Sequence, residues 1–128
     1  MGIERYALTS GVMAVVCQRL VRKLCQCARP CAGLESWGLG VKSAMEPVGC
    51  DRCRGTGYRG RLVLSEMLAP SVVSVRRTIL QEHDVTSLEG VAVRNGMTTL
   101  WDGALEAVES GRTSPAELRR TLGFGGSA

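Results

Sequence analysis

The chain has 128 residues, of which 45% are hydrophobic, and a net charge of +4; these values fit one domain or a piece of a larger one and exclude wholesale disorder. With one Phe, two Tyr and two Trp any core has to be aliphatic, and sixteen glycines imply many turns. The arginines are spread over several segments, which describes a solvated surface of mixed sign rather than a nucleic-acid-binding block.

Targeting and membrane signals are weak. GVMAVVC at 11–17 is the longest apolar run, far short of the roughly 18 residues that span a bilayer, so direct membrane insertion is not expected. Glu4 and Arg5 cancel in front of it, and no A-x-A cleavage site follows. Tyr6 stands where a myristoylation signal needs Ser or Thr. The chain reads as cytosolic, and its six cysteines as thiols or metal ligands rather than disulfides.

In chain order, Met13, Val16, Leu20 and Leu24 recur at spacings of three and four with Arg19, Arg22 and Lys23 between them, which predicts a helix over 9–24 capped by Thr9 or Ser10. Cys17 falls inside it as a small apolar core residue. Residues 25–60 lose periodicity, hold five of the six cysteines and are rich in glycine, as expected of a loop-built module that needs an outside constraint. A short strand is expected over 61–66, paired with Pro47-Val48 or with residues upstream. Three helices follow: Ser71 caps Val72–Leu80, Thr86 caps one that stops at Asn95-Gly96, and Thr98 or Thr99 opens one that ends at Ser110-Gly111. Ser114-Pro115-Ala116-Glu117 marks the start of a last helix, with a capping serine, proline at the first turn and a glutamate three after the cap. The terminal GFGGSA should be loose.

The chemistry lies in CDRCRGTGYRGR at 50–61. Cys50 and Cys53 form C-x2-C, the spacing at which one turn aims two thiolates at a tetrahedral ion. Gly55 and Gly57 allow backbone amides to bend toward the sulfurs, and Arg52, Arg54 and Arg59 offset the negative charge of a four-thiolate centre. The first half is less regular: Cys25-x-Cys27 is tight, Cys27-x3-Cys31 is ordinary, and any two of the three could serve. Three readings compete. A redox dithiol usually opens a helix, whereas glycines and arginines follow here. Unligated buried thiols are the second. Structural Zn2+ is the third, and it suits a module of roughly 36 residues too small to order itself by apolar burial. Catalytic zinc is disfavoured because the only histidine, His83, lies in the polar stretch QEHD, where it reads as a surface residue.

QRLVRKLC (18–25), CARP (27–30), PVGCDRCRGTGYRGR (47–61), SEML (65–68) and NGMTTLWDGALEAVESGRTSPAEL (95–118) together resemble the C-terminal region of bacterial type II secretion and type IV pilus assembly ATPases. The resemblance runs from about Met1 to Phe124. It implies an α+β, mainly helical fold, the truncated part of a RecA-like ATPase domain. A helix over 1–24 would close the ATPase core, followed by a four-cysteine zinc module with a short β-hairpin over 25–64. About four helices would fill 65–124, ahead of a loose tail at 125–128. The implied zinc ligands are Cys25, Cys27, Cys50 and Cys53. The family's first knuckle is C-x2-C with a proline three residues after its second cysteine; Pro30 stands three after Cys27, so Cys25 corresponds to the first ligand with one residue deleted, and Cys31 is the alternative.

Family membership implies an ATP-driven hexamer working with cytoplasmic and inner-membrane components of a secretion or pilus machine, at the cytoplasmic side of that membrane. Gln18 and Arg19 would pack against the nucleotide-binding half, with Arg22 or Arg59 facing a neighbour. ATP and Mg2+ belong to the full-length proteins. This chain has no G-x4-G-K-[ST], so hydrolysis is not expected of it alone, and Met13, Val16 and Leu20 should be left exposed without an upstream half. Two alternatives come from other classes. C-D-R-C-R-G-T-G also matches one copy of the zinc repeat of J-domain co-chaperones, which carry four, and a zinc-ribbon nucleic-acid binder would fit the basic knuckle but has only Tyr58 beside it for stacking.

Overall fold

A computed structural model describes residues 2–81 and 84–123. Among these the elements are α1 (Arg5–Gly11), β1 (Val15–Leu24), β2 (Arg29–Pro30), β3 (Met45–Glu46), β4 (Tyr58–Leu68), α2 (Val73–Gln81), α3 (Val85–Arg94), α4 (Leu100–Glu109) and α5 (Pro115–Leu122), with 3-10 turns at Leu34–Trp37 and Asp51–Cys53. The class is α+β, with four helices after the cysteine-rich segment as the sequence implies. His83 and the residues after Gly123 lie outside the described residues.

The long N-terminal helix is replaced by the short α1 and the ten-residue strand β1. The misreading has a simple origin. Val16, Leu20 and Leu24 are four apart, a spacing that marks one face of a helix but also, being even, one face of a strand. Only the step from Met13 to Val16 is specific to a helix, and Met13 lies outside β1. β-branched Val15, Val16 and Val21 favour the extended form, and pairing with β4 secures it. Thr9 and Ser10 end α1 instead of opening a helix, their hydroxyls donating back to the Tyr6 carbonyl at 3.1 and 2.8 Å. Cys17 is half-buried on β1, and Met13, Val16 and Leu20 are exposed as anticipated, but not as one helical stripe.

β4 is longer than the expected strand and pairs with β1 rather than with Pro47-Val48. The Cys25 amide donates to the Gly57 carbonyl at 2.9 Å, where β1 ends and β4 begins, so the two strands run antiparallel. β2 and β3 form a second antiparallel pair, Arg29 opposite Glu46 and Pro30 opposite Met45, with an Arg29–Glu46 ion pair of 2.6 Å.

The chain forms two compact units: one takes the chain up to Cys17 together with Ser65–Thr99, the other Gln18–Leu64 with Leu100 onward. In the first, α2 and α3 pack on each other, with Val75 and Ala92 buried. Asp84 caps α3, accepting from the Thr86 and Ser87 amides, where the sequence suggested Thr86. Gly96 takes a φ of +97° just after α3, and the Met97 amide closes back on the Ala92 carbonyl at 3.0 Å, the expected left-handed stop.

The second unit has the aliphatic core: Val21 and Leu64 of the strands meet Leu39, Ala44, Ala104, Ala107, Val108 and Leu118. Ser114 caps α5 by accepting from the Glu117 amide at 3.1 Å, as predicted. The Glu117 carboxylate, however, reaches across to β1. It is fully buried and accepts from the Arg22 amide at 2.9 Å, from Arg22 Nε and Nη2 at 2.9 and 2.7 Å, and from Arg120 Nε and Nη2 at 2.9 and 2.7 Å. Arg22 also lies 4.1 Å over the Tyr58 ring, and the Tyr58 hydroxyl meets Ser114 Oγ at 2.6 Å. Arg22, offered with Arg59 as a residue that would face a neighbour, has its guanidinium engaged inside its own chain while its side chain stays 45% exposed. Two strands and α5 are locked together immediately beside Cys25, the residue that follows β1.

Candidate metal centre

Cys25 follows β1. The Ala28 amide donates to the Cys25 carbonyl at 3.0 Å, a tight turn that lets Cys25 and Cys27 present their sulfurs together despite only one intervening residue. Cys50 and Cys53 flank the Asp51–Cys53 turn. All four sulfurs lie within 4.8 Å of one another, with Sγ–Sγ distances of 3.8 Å for Cys25–Cys50, 3.9 Å for Cys27–Cys53 and 3.8 Å for Cys50–Cys53. A tetrahedral zinc–thiolate centre with bonds of about 2.3 Å has edges of about 3.8 Å. The donor set and its spacing therefore fit a single ion held by Cys25, Cys27, Cys50 and Cys53.

The surrounding backbone favours thiolate. The amides of Cys50 and Gly57 both donate to Cys53 Sγ at 3.1 Å. Burial opposes ionisation of Cys53, but these two donors and the neighbouring thiols outweigh it and bring the group down to about 6. Cys27 moves the other way. The Gly49 amide favours its thiolate, yet burial and shared hydrogens with Cys50, Cys25 and Cys53 push it up to about 11.

Two glycines make this possible. Gly57 has φ +78°, and a Cβ there would lie 2.4 Å from Cβ of Pro47; Gly49 has φ +111°, and its Cβ would meet the Gly55 carbonyl oxygen at 2.7 Å. The sequence pointed to Gly57 correctly. It assigned the same role to Gly55, whose amide instead donates to the Cys50 carbonyl at 2.9 Å, and it passed over Gly49, which the adjacency in PVGC could have flagged. Among the arginines, Arg52 donates to Gln26 Oε1 at 2.9 Å and ties the two knuckles together, while Arg54 and Arg59 are exposed. Gln18 and Arg19 are exposed on β1 rather than on a helix.

Cys31 stands outside the cluster. Its amide pairs with the Ala44 carbonyl at 2.9 Å, and its side chain packs against the core of the second unit. Burial, and then the Glu46 carboxylate, push its thiol up from the ordinary value. Cys25, not Cys31, completes the set of four.

With fold and site in hand, the comparisons are direct. The family model described as "Type II/IV secretion system protein" matches residues 1–120, and the chain belongs to that family. Among relatives, it is 39% identical over 130 residues to "Protein transport protein HofB homolog" of Escherichia coli K12, covering 97% of this chain and 28% of that protein. It is 34% identical to "Type II secretion system protein E" of Aeromonas hydrophila (94% and 25%) and 30% identical to "Type IV pilus assembly ATPase PilB" of Thermus thermophilus (95% and 15%). The kinship expected from the sequence is therefore borne out, and the chain spans about a quarter or less of the length of these relatives. Among the described residues no helix is long and apolar enough to cross a membrane.

Proposed function

We propose that this chain is the C-terminal zinc-binding region of a type II secretion or type IV pilus assembly ATPase, a truncated part of a RecA-like motor domain, and that it serves protein secretion or pilus biogenesis as part of an ATP-driven hexamer. The observation that carries the reading is the convergence of four cysteine sulfurs at tetrahedral spacing in a chain of this family. When bound, a structural Zn2+ supplies folding free energy on the order of 10–16 kcal/mol in small modules. The chain's own part is to aim Cys25 and Cys27 from one turn and Cys50 and Cys53 from another, with backbone amides spread over the sulfurs. ATP and Mg2+ are left to a P-loop-bearing segment, which this sequence lacks. The proposed setting is the cytoplasm, at the inner membrane through partner proteins.

The test is metal content with single substitutions. The parent should hold one zinc per chain. Cys25→Ser, Cys27→Ser, Cys50→Ser and Cys53→Ser should each lower it at least tenfold in a competition with a chelator, and Cys31→Ser should leave it unchanged. A chain that takes up no zinc, or that loses it on Cys31→Ser while Cys25→Ser retains it, refutes the assignment.

A further inference from the structure

The positions of the four clustered sulfurs favour one division into pairs. Cys25 Sγ meets Cys50 Sγ at 3.8 Å, and Cys27 Sγ meets Cys53 Sγ at 3.9 Å. These two contacts share no atom and together use every sulfur of the cluster. Each joins one cysteine turn to the other, across 25 and 26 residues of chain. Cys50 and Cys53 are equally close, at 3.8 Å, but pairing them leaves Cys25 to Cys27. Only Gln26 separates those two, and a disulfide there would close a small, strained ring. A bond of about 2.05 Å is reached from either cross-turn contact by an approach of about 1.8 Å, which rotation of two side chains can supply.

Access and scaffolding fit the same division. Cys27 and Cys50 are half-buried, whereas Cys25 and Cys53 are buried. Each cross-turn pair therefore offers one sulfur that a small oxidant can reach and a sheltered partner in contact behind it. The two turns also have ties that pass through no sulfur. Arg52 donates to Gln26 Oε1 at 2.9 Å, Arg29 pairs with Glu46 at 2.6 Å, and the Cys25 amide donates to the Gly57 carbonyl at 2.9 Å. These bonds hold the turns face to face while the sulfurs change partners.

We propose that the tetracysteine centre is a peroxide-responsive site, which a hydroperoxide converts into two cross-turn disulfides, Cys25–Cys50 and Cys27–Cys53. The zinc reading above supplies only its starting state. In each pair the open sulfur attacks the peroxide, the O–O bond breaks, and a sulfenic acid and one water form. The sheltered sulfur then displaces the sulfenic hydroxyl as a second water, and the S–S bond forms. Each pair of sulfurs loses two electrons, and one peroxide gains them. For the whole centre, four thiolates, two peroxides and four protons give two disulfides and four waters, with Zn2+ released. The disulfides then clasp the module in place of the ion, and a thiol reductant restores the four ligands. Cys17 and Cys31 lie outside the cluster and take no part.

Hydrogen peroxide tests this on the full chain, both zinc-loaded and metal-free with its thiols reduced. From the loaded chain it should release all the zinc, read with a chromogenic chelator, as four thiols are lost. Non-reducing peptide mapping with fragmentation should find Cys25 joined to Cys50 and Cys27 joined to Cys53 in both samples. Cys27→Ser should still form the first link and Cys50→Ser the second. The far-ultraviolet circular dichroism of the oxidised chain should match that of the loaded one, and dithiothreitol with Zn2+ should return the full metal content. Zinc retained under peroxide that fully oxidises glutathione overturns the proposal. So does a Cys50–Cys53 link, sulfinic acid in place of disulfide, cross-linking between chains, or loss of the dichroism signal on oxidation. A chain that never takes up zinc refutes the metal assignment alone, because the pairing is still read on the metal-free sample.

Discussion

Replacing Glu117 by Gln isolates the charge at the centre of the second unit while keeping its shape. The carboxylate is fully buried, and burial pushes it toward the neutral form; the hydrogen bonds from Arg120 and Arg22 more than reverse this and bring it from an ordinary 4.5 to about 2. At about 1.4 kcal/mol per pH unit, that displacement corresponds to about 3 kcal/mol of stability at neutral pH. Gln presents an amide NH2 to guanidinium donors where the acid presented only acceptors. The orphaned arginines are 45% and 58% exposed, so they regain water and keep the loss below the extreme of a fully buried pair. Thermal melting of the zinc-loaded chain should show a fall of roughly 10 °C at pH 7, taking about 3–5 °C per kcal/mol for this size. Because the folded-state value is depressed, the stabilisation is complete above about pH 4.5 and fades as pH falls toward 2. The gap between parent and Glu117→Gln should shrink over that window and close near pH 2; metal loss in acid affects both chains and cancels in the difference. A variant that melts within a degree of the parent at pH 7, or a gap that is unchanged between pH 7 and 3, refutes this account of the buried carboxylate.

Gly57→Ala should lose about 2 kcal/mol or more and weaken metal retention, since the new Cβ would lie 2.4 Å from Cβ of Pro47 at a φ of +78°; a chelator titration and a melt together read both effects. Gly103→Ala is the contrasting case: it lies inside α4 with nothing within 4 Å of the added methyl, and it should gain about 0.5–1 kcal/mol from helix propensity alone. Ser114→Ala removes the acceptor of the Glu117 amide and the partner of the Tyr58 hydroxyl, and should cost about 1–2 kcal/mol in denaturant unfolding. Tyr58→Phe, which leaves the cap intact, should cost less.

What could be read from the sequence was whatever a single residue's chemistry decides locally. Gly96 stops α3 because only a left-handed residue fits there, and Ser114-Pro115 opens α5 because that pair suits a first turn; neither depends on distant contacts. Cys50-x2-Cys53 likewise declared its geometry by spacing. Failures came where a partner far along the chain decides. β1 is a strand because β4 lies beside it, and a spacing of four could not distinguish the two periodicities. Glu117 has the position of a capping-box glutamate, yet Arg22 lies 95 residues away and offers a stronger, charge-assisted partner. The tight Cys25-x-Cys27 was ambiguous until the turn closed by Ala28 was visible, whereas Cys31 has the more conventional spacing and packs elsewhere.

The Arg22–Glu117 link also sets an order for events during synthesis. The turns that bring Cys25, Cys27, Cys50 and Cys53 together can form while the later helices are still unmade, because the loops to be closed are short. The strand leading into that cluster can pair with β4 once residues 58–68 are made, but its tie to the Glu117 carboxylate waits for α5. A nascent chain therefore passes through an interval with its cysteine turns formed and its aliphatic core still open, and a stall or proteolytic cut ahead of residue 117 would strand it there.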